Sequence, residues 1–443
     1  MDKSIALLYI LSFLVASCIT VPLPRLIQAV ASGDDWPMFR HDPAHTGYST
    51  STVLASSSKT WKYNTNYPAV SSPTVADGYV YIKGLHLTCI NASTGARVWE
   101  SPEYAGQEIS SPAVVDGYLY AGASLYAEYG GDVYALNAST GDRIWSYPTG
   151  DFVQSSPAVA DGVVYIGSDN GNIYAINAKT GAKSWNYSTG GPVRSSPTVV
   201  NGIVYVGSED GNVYALNAST HEKIWDYTTG GIGFLSYAPS PAFANGIVYI
   251  GSRDRNVYAL NASTGAKIWN YSTGGEVFGS AAVTNGRVYV SGGFNVYALD
   301  ASTGTKIWNF TTGGYNPSSP AVANDIVYIN SFDYNVYALN ASTGAKKGNF
   351  TLFPALGPEY SFRVSSPAVA GGMVYVGIDH ALYALDASSF VSTPPPKPNG
   401  SPLPDGTQPE PFPTVAVIAV SAAVGAVVVA TVLAYNKKRK QQH

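Results

Sequence analysis

The sequence predicts an all-β fold, an eight-bladed β-propeller with four-stranded antiparallel blades. Three observations predict it: a phrase of about 40 residues recurs through most of the chain, each copy holds four short extended runs, and turn signals separate the runs. Glycine and tyrosine are abundant, whereas charged residues make up only 12% of the chain. Four strands per repeat of this length are typical of a propeller, because one such sheet cannot bury both faces alone.

The clearest copy shows the order of the extended runs within one blade. It runs from Ser-Ser-Pro-Thr-Val at 195–199, through two further extended runs at 202–207 and 212–217, to Trp225. Dipeptides such as Asp161-Gly162 are typical of tight hairpins. The second run of each copy carries one tyrosine: Tyr81, Tyr120, Tyr165, Tyr205, Tyr249, Tyr289, Tyr328 and Tyr375. The fourth runs carry Trp61, Trp99, Trp145, Trp185, Trp225, Trp269 and Trp308, and Gly348 takes the remaining place.

The two ends of the repeat region complete each other. The eighth copy, 365–387, stops before its fourth run, and residues 59–63 contain a fourth run that has no preceding partners. We therefore expect the N-terminal strand to close the propeller. This predicts an N-terminal strap at 32–58 and a propeller at 59–387.

The phrase Tyr-Ala-Leu-Asn-Ala-x-Thr-Gly-x-x-x-Trp resembles the repeat of pyrroloquinoline quinone (PQQ) type, or quinoprotein-like, propellers. The opening Trp-Pro-Met-Phe-Arg-His-Asp-Pro at 36–43 is similar to the usual start of that family. The family includes the propeller lipoprotein of the outer-membrane barrel-assembly machinery. The resemblance covers Trp36 to about Asp386, and implies that the tryptophans pack between adjacent blades.

The N-terminal end predicts export. Lys3 precedes an apolar run at 5–21, and Ala29-Val30-Ala31 offers a cleavage site, so residues 1–31 are interpreted as a signal peptide. Two alternatives are an uncleaved anchor and a lipobox in which Cys18 is acylated.

The C-terminal end predicts a single-pass membrane protein. Residues 388–413 form a proline-rich stalk, 414–435 are 22 uncharged residues long enough to span a bilayer, and 436–443 are a basic cytoplasmic tail. An alternative is that Pro409-Glu410-Pro411 marks a sorting tail from which the helix is removed. These ends place the propeller on the extracytoplasmic side of the cell membrane.

Charge excludes one class of partner. The two ends contain six basic residues and one acidic residue, so the remainder is more acidic than the net −4 of the whole chain. A net-acidic domain without a basic stripe is not expected to bind nucleic acid.

The residues give little support for redox chemistry. The resemblance implies that a PQQ enzyme would hold calcium through Glu, Asn and Asp, use an Asp base and carry a disulfide between adjacent cysteines. The cysteines here are Cys18 and Cys89, and every tryptophan is accounted for by docking or by the opening segment. We therefore expect no cofactor and no metal site.

Other candidate ligands have simpler explanations. His41, Asp42 and His45 have metal-compatible spacing but belong to the family's opening segment. An acid or amide recurs at one hairpin position, at Asn170, Asp210, Asp254, Asp333 and Asp379; a cation-binding ring is possible, but turn chemistry is the better explanation. Cys89 is interpreted as a small buried residue, and neither His86 nor His221 has a visible partner in the sequence.

Ten Asn-x-Ser/Thr sequons are candidates for glycosylation: Asn91, Asn137, Asn186, Asn217, Asn261, Asn270, Asn309, Asn340, Asn349 and Asn399. Asn186, Asn270, Asn309 and Asn349 follow the tryptophan position and are not explained by the repeat's turn.

The sequence favours a non-enzymatic binding or scaffold protein with an unknown protein or glycan partner at the cell surface; the alternative is a PQQ-like redox enzyme.

In each blade the loop between strands 2 and 3 and the connection to the next blade lie on the same face of the propeller. This face is here called the variable face, because these segments differ between copies. The other two turns repeat closely and form the uniform face. The candidate binding residues on the variable face are Phe234, Tyr237, Arg253, Asp254, Arg255, Glu359 and Tyr360.

Overall fold

A computed structural model describes residues 35–51, 60–65, 71–102, 110–124, 130–231, 238–352, 364–378 and 380–390. The chain divides into two compact units, Met1–Ser392 and Thr393–His443, and every described residue belongs to the first. The predicted signal peptide, most of the stalk, the candidate membrane helix and the basic tail lie outside the described residues. Within the described ranges, no helix is long and apolar enough to cross a membrane.

The described residues form eight sheets of one plan, so the predicted eight-bladed propeller is confirmed. Within each sheet, neighbouring repeat strands pair antiparallel, and they follow the order first to fourth. Blades 1 to 4 contain Thr74–Ala76, Tyr79–Lys83, Leu87–Asn91 and Arg97–Glu100; Ala113–Val115, Tyr118–Ser124, Gly131–Asn137 and Arg143–Pro148; Ala158–Ala160, Val163–Gly167, Asn172–Asn177 and Lys183–Ser188; Thr198–Val200, Ile203–Gly207, Asn212–Asn217 and Lys223–Thr228.

The remaining blades follow the same plan. Blades 5 to 8 contain Ala242–Ala244, Ile247–Gly251, Asn256–Asn261 and Lys267–Ser272; Ala282–Thr284, Arg287–Gly292, Asn295–Asp300 and Lys306–Thr311; Ala321–Ala323, Ile326–Asn330, Asn335–Asn340 and Lys346–Thr351; Ala368–Ala370, Met373–Ile378, Ala381–Asp386 and Trp61–Asn64. A 3₁₀ helix, Ala387–Phe390, follows blade 8.

Burial explains the residue types along each blade. The second and third strands are buried along nearly their whole length, as in Ile203–Gly207 and Asn212–Asn217, because both faces pack on neighbouring blades. The fourth strand alternates: in Lys223–Thr228 the indole of Trp225 is buried, whereas Ile224 is exposed. The core is therefore distributed between adjacent blades.

The N-terminal strand completes blade 8, as the sequence predicts. Trp61–Asn64 pairs antiparallel with Ala381–Asp386, and Trp61 lies opposite Ala384. The fourth strand of this blade thus comes from the start of the chain and the other three from the end.

The described part of the predicted strap, residues 35–51, crosses the first strands of most blades; the name strap is used for these residues from here on. Its carbonyl groups accept hydrogen bonds from the middle residues of these strands, for example Trp36 from Val75 and Ala44 from Phe243. Its residues Tyr48–Ser49 add a parallel strand to blade 7. Near its end, Ser51 Oγ accepts from the backbone N–H of Gly372, which lies in a turn of the uniform face. The strap therefore fills the central channel towards the uniform face.

Candidate functional site

The tryptophans join neighbouring blades. Each indole Nε1 donates to the carbonyl of an alanine in the next blade, at 2.8 to 3.0 Å. The pairs are Trp61–Ala92, Trp99–Ala138, Trp145–Ala178, Trp185–Ala218, Trp225–Ala262, Trp269–Ala301 and Trp308–Ala341. The eighth indole, that of Trp36, is 2% exposed in the strap. All eight tryptophans therefore have structural positions.

A phenylalanine fills the junction that has no tryptophan. Gly348 lies opposite Ala338, where the other blades place tryptophan. A Cβ atom at Gly348 would collide with the backbone carbonyl of Phe390, whose ring packs edge-on against Tyr328 with centroids 5.5 Å apart. Residues 388–390, which the sequence assigns to the stalk, thus pack onto blade 7 instead.

A closed ring of eight hydrogen bonds surrounds the channel towards the variable face. In each bond, the backbone N–H of one serine donates to the Oγ of the corresponding serine in the next blade, at 2.8 to 3.1 Å. The ring runs Ser72, Ser111, Ser156, Ser196, Ser240, Ser280, Ser319 and Ser366, and then returns to Ser72. In most blades a second serine directly precedes the ring serine and forms a hydrogen bond within its own blade. Ser195 Oγ, for example, accepts from Gly207 N–H.

The serine ring lines a cavity at the end of the channel. The cavity opens to solvent, and the empty space in it, counted together with its open mouth, is about 540 Å³. Phe39 of the strap lies on its wall. Gln154, Arg194 and Phe278 line it as well, and each lies two residues before a serine of the ring, at what is here called the position before the serine step. The position before the serine step thus determines the chemistry of the channel mouth.

An ion cluster borders this mouth. Arg194 donates to Asp169 at 2.8 Å and to Glu209 at 2.7 Å, and both carboxylates are largely buried. Burial raises the pKa of both carboxyl groups, and Arg194 opposes that shift. Gln154 Nε2 also donates to Asp169, at 3.0 Å.

The candidate binding residues are only partly described. Arg253, Asp254 and Arg255 lie in the turn between the second and third strands of blade 5, and Arg253 contacts Glu276 at 3.2 Å. Its guanidinium also lies 5.8 Å from the ring centroid of Phe278. Phe234, Tyr237, Glu359 and Tyr360 lie outside the described residues.

The recurring acids have turn partners. Asp210 accepts hydrogen bonds from the N–H groups of Gly190 and Asn212 and from the hydroxyl of Tyr214. Asp254 and Asp333 repeat this pattern, and Asn170 caps its turn through Asn172 N–H; Asp379 is not described. In the described part of the chain, no group of three or more His, Cys, Asp and Glu residues is placed to hold a metal ion.

The strap histidines have structural contacts. His45 is buried, and its Nδ1 lies 2.9 Å from Thr198 Oγ1 and 3.2 Å from the carbonyl of Pro241. Burial lowers the pKa of His45 to about 4. The buried Arg40 donates to the carbonyl groups of Ala281 and Pro320, and burial lowers its pKa to about 9.

The remaining singled-out residues also contribute to packing. Cys89 is a buried free thiol, and burial raises its pKa to about 12, so it is poorly nucleophilic. His221 replaces the turn glycine, and its ring lies 6.2 Å from that of Trp185. His86 borders a smaller cavity with Tyr63 and Glu100.

The sequons fall into two structural groups. Asn186, Asn270, Asn309 and Asn349 are exposed on fourth strands, the outer edges of their blades. The turn asparagines Asn91, Asn137, Asn217, Asn261 and Asn340 are half-buried and accept backbone N–H groups through Oδ1. Asn399 lies outside the described residues. Glycosylation stays a prediction.

Among the described residues, the lining of the channel mouth does not fit a quinone and its calcium ion. The cavity is lined by serines, Phe39, Gln154, Arg194 and apolar residues, and the adjacent carboxylates of Asp169 and Glu209 are paired with Arg194. The tryptophans hold blade junctions or the strap, so none offers a free indole to stack on a quinone.

Comparison with known proteins supports the same fold. A family profile described as outer membrane protein assembly factor BamB matches residues 46–155, 149–281 and 272–438. No curated protein sequence matches the chain significantly.

Solved structures of an assembly factor and of dehydrogenases are similar to this chain. BamB from Moraxella catarrhalis is 16% identical, with a TM-score of 0.59, over 75% of this chain and 98% of its own. A europium-containing methanol dehydrogenase is 13% identical, with a TM-score of 0.64, over 77% and 89%. Quinohemoprotein alcohol dehydrogenase from Comamonas testosteroni is 16% identical, with a TM-score of 0.64, over 85% and 83%. At these identities the likeness shows the fold alone.

Proposed function

This chain belongs to the propeller family described as outer membrane protein assembly factor BamB, and we propose that it is a non-enzymatic binding or scaffold protein. It presents its variable face to a protein or glycan partner at the cell surface. The fold is shared with enzymes, so the proposal rests on the site.

The contrast between the two faces carries the proposal. On the uniform face, the turns between the third and fourth strands share one hydrogen-bonding pattern. In it, the Oδ1 of an Asn or Asp accepts two backbone N–H groups, as at Asn177 and Asp300. At the mouth of the channel, the residue before the serine step is different in each of the six blades where this position is described: Gln154, Arg194, Ala238, Phe278, Pro317 and Val364. A rigid repeat that varies at one end is the arrangement expected of a binding surface.

A second feature of the variable face supports binding. Phe294 is 53% exposed, and its ring packs edge-on against Tyr315, with 5.7 Å between centroids. Tyr315 contacts Phe278, over which Arg253 lies. Aromatic and arginine side chains grouped in this way are enriched at binding hot spots.

The location is proposed from the sequence. Residues 414–435 anchor the chain, 436–443 remain in the cytoplasm, and the propeller lies on the extracytoplasmic side. Protease added to intact cells should degrade the propeller and spare a C-terminal tag; protection of the propeller would contradict this orientation.

Site-specific photo-crosslinking on intact cells tests the function. A photoreactive amino acid at Arg255 should give a discrete adduct, whereas one at Lys179, exposed on the uniform face, should give none. Combined substitution of Phe234, Tyr237, Arg253 and Tyr360 by Ser should abolish an adduct formed from Arg255. The double substitution of Lys179 and Ser302 by Ala serves as the matched control. An adduct from Lys179 alone would place binding on the other face.

A further inference from the structure

The cavity contains a buried acceptor that has no donor. Gln154 is 9% exposed, and its Oε1 has no hydrogen-bond partner among the described residues. Its Nε2 donates to Asp169 at 3.0 Å, which fixes the amide orientation because a carboxylate can only accept. A buried carbonyl left unpaired is destabilising, and Gln154 lines the cavity, so a donor that enters the cavity can satisfy this atom.

The serine ring contributes hydroxyl donors to the same cavity. Each ring Oγ accepts a backbone N–H, so its own hydrogen is still available. In the part of the chain that the structure describes, none of these eight hydroxyls donates to a protein acceptor. Six are almost fully buried: Ser111, Ser156, Ser196, Ser240, Ser280 and Ser319. The lining therefore offers several donors and one unpaired acceptor.

The charge near the cavity disfavours an anion. The one guanidinium of Arg194 faces the two carboxylates of Asp169 and Glu209, which leaves this cluster one negative charge. Within the strap, Arg40 interacts favourably with the charge of Asp42. An anion would meet this net negative charge, and a carboxylate has no hydrogen to donate to Gln154 Oε1.

An uncharged polyol satisfies these groups. A sugar hydroxyl can donate to Gln154 Oε1 and accept from a serine hydroxyl at once, and the apolar face of a pyranose can pack on the rings of Phe39 and Phe278. We propose that the channel mouth binds a neutral sugar residue through Gln154, the serine ring and these two phenylalanines. This inference rests on the proposed function and specifies a glycan as the ligand.

Ligand-observed NMR on the purified full-length protein tests the inference. The probes are methyl α-D-mannopyranoside, methyl β-D-glucopyranoside and methyl N-acetyl-β-D-glucosaminide, each in the millimolar range. We expect saturation transfer to the ring protons of at least one glycoside. Gln154→Met should weaken its binding about tenfold, as expected for one lost hydrogen bond to a buried group. Glu222→Met, exposed on the uniform face, is the control and should leave binding unchanged.

Several outcomes would overturn the sugar site. They are absence of transfer to all three glycosides, binding unaffected by Gln154→Met, and displacement of the glycoside by sodium acetate, sodium phosphate, potassium chloride or calcium chloride at equal concentration. If Gln154→Met does not fold, Phe278→Ala at the rim provides a second variant and should also weaken binding. Loss of glycoside binding with retention of the Arg255 crosslink refutes only the sugar site; glycoside binding without any crosslink refutes only the proposed face.

Discussion

The backbone N–H of Ser366 donates to Ser72 Oγ at 3.1 Å, across 294 positions of sequence. This bond closes the serine ring between blades 8 and 1. At the outer edge, Trp61 of blade 8 donates to the carbonyl of Ala92 in blade 1 at 2.8 Å. The same junction is thus held at the channel and at the periphery, and both contacts need the two ends of the repeat region to meet.

Removing one hydroxyl from the ring should destabilise the fold. In Ser240→Ala the buried N–H of Ser196 loses its acceptor, and we expect the free energy of unfolding to fall by about 1–3 kcal/mol. Denaturant unfolding measures this. Ser302→Ala, at an exposed turn position, should change stability little. Equal stability of the two variants would show that the ring bonds are not needed.

The junction at Gly348 should tolerate no side chain. Gly348→Ala forces its Cβ against the carbonyl of Phe390, and overpacking of this kind costs about 1–3 kcal/mol. Thermal unfolding of the full chain measures the loss. The same substitution in a chain that ends at Ser388 should cost less, because Phe390 is then absent. An identical cost in both backgrounds would contradict the contact.

The strap should make stability depend on pH. The pKa of His45 is about 4 in the folded protein against 6.5 for the free side chain, so the unfolded chain binds more protons between these values. Its contribution is fully present above pH 6.5 and is lost as the pH falls towards 4, by about 3 kcal/mol at pH 4. Urea unfolding at pH 7, 5.5 and 4.5 should show this decline, and His45→Gln should reduce it. Parallel declines in both proteins would exclude His45 as the cause.

Deletion of residues 36–66 should open the ring. It removes the strap and the strand Trp61–Asn64, so the third strand of blade 8 becomes an unpaired edge and apolar surface is exposed. We expect loss of cooperative unfolding, or aggregation, by calorimetry and gel filtration. A monomeric deletion protein as stable as the full chain would contradict closure by the N-terminal strand.

Some of these features could be predicted from the sequence because they repeat. The tyrosine spacing predicts eight blades, and the orphan run at 59–63 predicts the strand that completes the last one. Gly348 marks a missing tryptophan, but its substitute is Phe390, which lies beyond the repeat and carries no signal in the motif.

The channel mouth was missed because its contacts are not encoded locally. Ser-Ser-Pro is visible in every clear copy, yet the partner of each hydroxyl lies in another blade. Arg194 likewise reaches Asp169 and Glu209, which are 25 and 15 positions away. The one available signal was the residue before the serine step, which varies within an otherwise constant phrase, as at Gln154 and Phe278.

We propose that the propeller binds a partner rather than performing quinone chemistry, and reconstitution with the cofactor tests this most directly. Purified full-length protein is incubated with PQQ and calcium chloride, passed through gel filtration, and assayed for bound quinone absorbance and for oxidation of methanol, ethanol and glucose. A quinoprotein alcohol dehydrogenase reconstituted in parallel is the positive control. Because the acids next to the channel are paired with Arg194 and the tryptophans hold structural positions, we predict no retained quinone and no oxidation above the blank. Stoichiometric quinone binding with turnover would contradict the account.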